Sequence, residues 1–184
     1  DLDEPGGPPG ATVRHLLAHA SGLPFEGSAP IARPGTRRIY SNSGFDAVGE
    51  ILGARAGMPF AEYLGEAVLR PLDMASRLRG GPGAGMWGSL ADLVAFVTEV
   101  MGPRLVAAET LAEATSVQFP GLGGVLPDFG RMDPLDWGLG FELRAAKRPH
   151  WMGDAVSASS FGHFGGSGTF VWVDPERALA CVCL

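Results

Sequence analysis

Lysine is nearly absent from this chain: among its 184 residues the basic side chains are thirteen arginines and one lysine, Lys147. Any motif that needs an amine side chain therefore has one position at which it could be complete. Cysteine is equally scarce. Cys181 and Cys183 stand two apart in the apolar run 178–184. On a strand they point to one face, where a disulfide between them is geometrically poor, so they read as small apolar side chains. No apolar run approaches the ~18 residues that cross a bilayer. The stretch Asp1-Leu2-Asp3-Glu4-Pro5 is acidic and polar and is no signal peptide. Positive charge is short as well: the net charge of −6 argues against a general binder of nucleic acid. The compartment stays open.

What the chain does have is enough apolar residue to fold. Hydrophobic residues make up 46% and charged residues 18%, which excludes a disordered chain and suits one domain or two small lobes. The 28 glycines and 15 prolines follow no three-residue period, so collagen is excluded too. Residues 1–11 read as a linker or surface strand. Thr12 can cap a helix through His19, which Ser21-Gly22 ends. Ser43 is placed to cap a helix from Gly44 to Ala56, stopped by Gly57. Pro59 starts another through Val68, ended by Pro71. Gly80 to Gly85 is a loop needing unusual backbone freedom. Ser89 caps an amphipathic helix carrying Leu93, Val97 and Val100, and a short helix over Ala108 to Ser116 follows. Strands are then expected over Trp137–Leu143, Gly168–Val173 and Leu179–Leu184, with Asp174-Pro175-Glu176-Arg177 as the last turn. The pattern is α+β: a mainly helical lobe over 12–135 and a sheet portion over 136–184.

Three constellations could carry chemistry. His15 and His19 lie four apart on one helix face, as metal ligands can. The zinc-protease version needs Glu directly after the first His, and Leu16 stands there. With no third ligand in view, a structural role bonding loop backbone is favoured. Tyr40-Ser41-Asn42 lies between a loop carrying Arg33, Arg37 and Arg38 and a helix start. A cation beside Tyr40 would fit it as a general base, and Asn42 offers an amide to a substrate. Gly162-His163-Phe164-Gly165-Gly166 lets a ligand approach the backbone and could aim an N–H at a developing oxyanion. Each is weak alone: a cap, a packed ring or an ordinary turn explains it equally well.

Taken in order they resemble one family. The segment Thr12-Val13-Arg14-His15-Leu16-Leu17-Ala18-His19-Ala20-Ser21-Gly22-Leu23, then Pro34-Gly35 and Tyr40-Ser41-Asn42-Ser43-Gly44, open the match. Arg70-Pro71-Leu72-Asp73-Met74, Gly88-Ser89-Leu90-Ala91-Asp92-Leu93 and Gly162-His163-Phe164-Gly165-Gly166 complete it. The resemblance is to serine hydrolases of the class C β-lactamase, carboxypeptidase and esterase type, over nearly the whole chain. It implies a β-lactamase/transpeptidase-like fold, present here in part, and acyl-enzyme chemistry on a small-molecule ester, amide or β-lactam. Tyr40 would be the general base, Asn42 would hold the substrate, and His163 would sit beside Tyr40. The Gly166 N–H would form half of an oxyanion hole, with Ser41, Phe164 and Gly165 as substrate-binding positions. No metal and no cofactor is implied.

The departures matter as much. The family's nucleophile motif is Ser-x-x-Lys, and Arg144 stands three positions before the one lysine. The motif belongs N-terminal to the stretch matching Leu2–Pro5, so the chain is expected to be a portion of a hydrolase domain, inactive alone. It would associate with its missing N-terminal segment or with itself through the apolar edge at Leu179. His163-Phe164 replaces the family's Lys-Thr, which tilts the expected chemistry towards esters. The alternative is a catalytically dead binding module or half of a split domain.

Overall fold

Helices begin here where a side chain can satisfy N–H groups that the first turn leaves unpaired. The computed structural model describes residues 1–184. Thr12 precedes α1, Val13–Leu17, and its N–H donates to His15 Nδ1 at 3.2 Å. The helix stops short of the expected His19 because His19 turns to a positive φ of 54°. Helix α2 spans Asn42–Ala56, and its cap is Ser41 rather than Ser43. Ser41 is extended and its Oγ accepts the Gly44 N–H at 2.9 Å, whereas Ser43 already lies inside the helix. Gly57 ends α2 in the left-handed region, as its position predicts. Helix α3, Phe60–Leu64, runs on into a π-helical turn over Gly65–Leu69.

A two-stranded ribbon follows, β1 (Arg77–Leu78) with β2 (Met86–Trp87), closed by the glycine-rich loop. Helix α4, Leu90–Met101, has the expected start: Ser89 and Asp92 cap each other reciprocally. Helix α5 is Ala108–Ala114. The pattern of apolar residues does not announce the next hairpin, β3 (Gly124–Leu126) with β4 (Gly130–Met132). Its turn is marked only by Asp128 and Gly130, both at positive φ.

The strand expected over Trp137–Leu143 shrinks to β5, Glu142–Leu143. The chain folds back at Gly140, φ 83°, so that Trp137 bridges Glu142 instead of continuing a straight run. Strands β6 (Phe161–Phe164), β7 (Phe170–Asp174) and β8 (Leu179–Cys183) complete an antiparallel sheet in the order β5-β6-β7-β8. The register pairs His163 with Val171 and Val171 with Val182. Phe161, Val173 and Leu143 meet Val97 of α4 in a core between that helix and the sheet. The fold is thus α+β. Strand β8 is an edge, with Leu179 half exposed and both thiols unpaired.

Residues 1–11 are tied down along their length. Pro5 bridges Thr12, Ala11 is buried, and Asp3 pairs with Arg14 at 2.9 Å. No helix is long and apolar enough to cross a membrane.

Candidate active site

His19 fixes the segment that carries Tyr40. Its carbonyl accepts the Ile39 N–H at 2.9 Å, and its Nδ1 accepts the Ser41 N–H at 3.1 Å. Tyr40 is held between those two bonds. With Nδ1 accepting, the neutral ring of His19 carries its proton on Nε2, which is buried without a partner. The ring lies against Tyr40, Phe45 and Trp137 at centroid distances of 4.5, 5.2 and 4.6 Å. His15 serves the loop in the same way: Nδ1 meets Thr12 and the ring stacks on Phe119 at 4.3 Å. Both imidazoles of the paired motif are engaged with neighbouring backbone or rings.

Arg38 anchors the segment from below. It is buried, and its guanidinium donates to the carbonyls of Leu135, Ala18, Gln118 and Phe119. Its own N–H donates to the Gly123 carbonyl at 2.9 Å, which docks the β3–β4 hairpin beside Tyr40. Gly124 permits this approach, since a Cβ there would come within 2.6 Å of Arg38. The basic loop noted in the sequence is therefore divided: Arg38 is structural, and Arg37 remains exposed.

Across the cleft, β6 brings His163 to Tyr40 over 123 residues of sequence. The Tyr40 hydroxyl and His163 Nε2 are 3.4 Å apart, long for a hydrogen bond but adjacent. Just beyond, Gly165 N–H donates to Thr169 O at 2.8 Å and closes the β6–β7 turn, while the exposed Gly166 N–H makes no hydrogen bond within the chain. Asn42 opens α2, half-buried, and its amide makes no hydrogen bond within the chain. The glycine-rich loop passes close over it: a Cβ on Gly83 would stand 2.6 Å from the Asn42 carbonyl.

Two of the expected substrate-binding positions are otherwise occupied. Ser41 is buried, its hydroxyl donating to Pro24 O at 2.6 Å and accepting from Gly44, so it is a helix cap. Phe164 gives its ring to Trp151 and Phe129, at 5.3 and 6.4 Å. Lys147 completes no nucleophile motif, since Arg144 stands three positions before it. Its Nζ lies 2.6 Å from Glu142 Oε1 and 3.1 Å from Asp136 O. His150 Nε2 and the Trp151 indole N–H join the same buried carboxylate. Local sequence pattern does not mark this cluster, because its donors come from the loop residues Lys147, His150 and Trp151.

Protonation follows burial. The Tyr40 phenol is pushed up from its ordinary value by burial alone. Burial pushes His163 down, partly opposed by its Phe164 backbone contact, and pushes His19 well down, helped by the charges of His163 and Arg38. An unfolded histidine titrates near about 6.5, so above that pH neither state takes up a proton at these sites and stability is flat. Below it the unfolded chain binds protons that the fold excludes. Unfolding free energy is therefore expected to fall by up to about 1.4 kcal/mol per pH unit for each histidine until the folded value is reached. Denaturant titrations between pH 7.5 and 5 check this, with His163→Gln expected to remove one histidine's share; an unchanged midpoint over that range would contradict it.

Known proteins share this fold and its family. A sequence model of the family described as Beta-lactamase matches residues 2–78 and 75–184. A solved structure of a beta-lactamase from Mycobacterium bovis is 53% identical with a TM-score of 0.96, covering 99% of this chain and 68% of its own. An octameric penicillin-binding protein homologue from Pyrococcus abyssi is 19% identical with a TM-score of 0.72, covering 98% of this chain and 55% of its own. EstCE1, a hydrolase with promiscuous acyltransferase activity, is 16% identical with a TM-score of 0.75, covering 99% and 72%. The last two likenesses concern the fold. No curated protein matches the sequence.

Proposed function

The chain belongs to the beta-lactamase family, and on that premise we propose that it carries the general-base and oxyanion side of an acyl-transfer site. The observation that supports this reading is the meeting of Tyr40 with His163, 3.4 Å apart, beside the unengaged N–H of Gly166. In the proposed reaction Tyr40 takes the proton of a serine hydroxyl whose oxygen attacks the acyl carbonyl. The N–H of Gly166 and that of the serine receive the oxyanion, and Tyr40 returns the proton to the leaving group. Water then repeats the sequence on the acyl-enzyme. Asn42 holds the substrate carbonyl through its free amide.

The serine and its lysine are not among these 184 residues, because Lys147 follows Arg144 and is bound to Glu142. By this route the chain alone is inactive and needs a Ser-x-x-Lys segment. With His163-Phe164 in place of Lys-Thr, the preferred substrate is an ester rather than a β-lactam. The engagement of Lys147 also favours a second reading, a non-catalytic binding module or half of a split domain. In either case the free edge of β8 is a place for association with further chain or a second copy. Ester hydrolysis by a polypeptide joining Ser-x-x-Lys to this chain, and its dependence on Tyr40, is the test.

A further inference from the structure

Acidic residues outnumber basic ones in this chain, 20 to 14, yet the cleft in front of Tyr40 has the opposite character. It encloses about 640 Å³, and no carboxylate lines it. Apart from Tyr40 its polar side chains are all arginines. Arg38 is consumed by buried carbonyls, which leaves Arg37 and Arg131 free to act on a ligand. Arg37 uses one nitrogen, donating to Ile31 O at 3.1 Å. Arg131 has only a loose contact with Asp133 at 3.7 Å, both side chains being largely exposed. Most of the N–H donors of these two guanidiniums have no partner in the chain.

The apolar part of the cleft is equally exposed. Phe25, Ile31 and Val125 are 53%, 57% and 63% accessible, although each is large and hydrophobic. Val125 and Arg131 are paired directly across the β3–β4 hairpin, so they face the same side. The hairpin is pinned to the Tyr40 segment through Arg38 and Gly123, which sets that face against the candidate base. Apolar wall, two guanidiniums and candidate base thus line one opening.

We propose that this cleft selects acyl groups that end in a carboxylate, the methylene chain lying on Phe25, Ile31 and Val125 and the carboxylate between Arg37 and Arg131. The inference rests on Tyr40 marking the acyl-transfer centre, and it names the substrate class: hemiesters of short dicarboxylic acids. A guanidinium matches a carboxylate in a planar, two-bond geometry, and exposed pairs of this kind contribute modestly each. A five- to tenfold preference over the uncharged chain of equal length is expected, a range of roughly that size for two such contacts.

The test is binding, measured on the isotopically labelled 184-residue chain by amide shifts at Ile39, Gly124 and Val125. Two amides that are not turned over serve as probes: the monoanilide of adipic acid and hexananilide. The carboxylate probe is expected to bind five- to tenfold tighter at low salt and to lose most of that advantage at high salt. Arg37→Gln with Arg131→Gln should bring the ratio near one without changing hexananilide binding, and the Lys versions should retain most of it. Equal affinity of the two probes, a preference that survives the double Gln variant, or no shifts at the three amides would each overturn the proposal. The acyl-transfer reading fails separately: ester turnover indifferent to Tyr40→Phe would reject it while leaving the anion preference standing.

Discussion

Tyr40→Phe, in a polypeptide that joins a Ser-x-x-Lys segment to this chain, is expected to cut ester hydrolysis by about a hundredfold or more. That factor corresponds to about 2.7 kcal/mol of barrier. The change removes one oxygen and leaves the ring, so the contacts of Tyr40 with His19, Phe25 and Trp137 persist. In the proposed reaction substrate binding rests on Asn42 and the cleft walls, which are untouched. The loss should therefore fall on kcat, with KM changing little. A physical reason ties this to the missing lysine. Within the chain, burial pushes the phenol up and nothing pushes it down. A neutral, buried phenol is a poor base near pH 7, and only a cation brought beside it would lower its ordinary value of about 10. Hydrolysis that survives Tyr40→Phe at full rate would remove Tyr40 from the mechanism.

Glu142→Ala is expected to destabilise the fold by about 3–5 kcal/mol, the penalty for leaving a buried partner charge uncompensated. Glu142 is fully buried, and its two oxygens receive Lys147, His150 and the Trp151 indole. Burial works against the carboxylate, but the hydrogen bond from His150 and the charge of Lys147 outweigh it and hold it below its ordinary value. Removing the carboxylate strands an ammonium that is itself buried. The same change frees Trp151, which backs Phe164 and Phe170 on the sheet. A loss of that size is a large fraction of the about 5–15 kcal/mol that a domain has in total. Combining Glu142→Ala with Lys147→Met should recover part of it, because the apolar pair carries no buried charge. Urea unfolding of the unaltered chain, the single variant and the double variant measures both effects; a single-variant loss under about 1 kcal/mol would show the cluster to be dispensable.

Local chemistry was the legible part of this protein. Ser89, Gly57 and the Asp174–Arg177 turn act where their residue types say they should, because caps and turns depend on a few adjacent atoms. Ser41 and Ser43 could not be told apart by composition: either hydroxyl suits a cap, and the extended conformation of Ser41, set by His19, decided it. The Trp137–Leu143 stretch has a strand's composition, but Gly140 turns it back on itself. Longer-range features left almost no local signal. The β3–β4 hairpin is held by Arg38, whose guanidinium meets carbonyls up to 97 residues away. The Glu142 cluster draws its donors from a loop that sequence pattern alone places nowhere. Tyr40 and His163 were paired by the order of family motifs rather than by any property of the residues between them.

The central claim is that these residues form an acyl-transfer site lacking only its serine and lysine. A fluorophosphonate probe, which reports an activated serine by covalent capture, tests it most directly on two polypeptides: the 184 residues alone and the same residues joined to a Ser-x-x-Lys segment. The account predicts rapid stoichiometric labelling of the joined polypeptide at the motif serine and none of the shorter chain. Labelling of the shorter chain, or a joined polypeptide that folds and stays unlabelled, would contradict it.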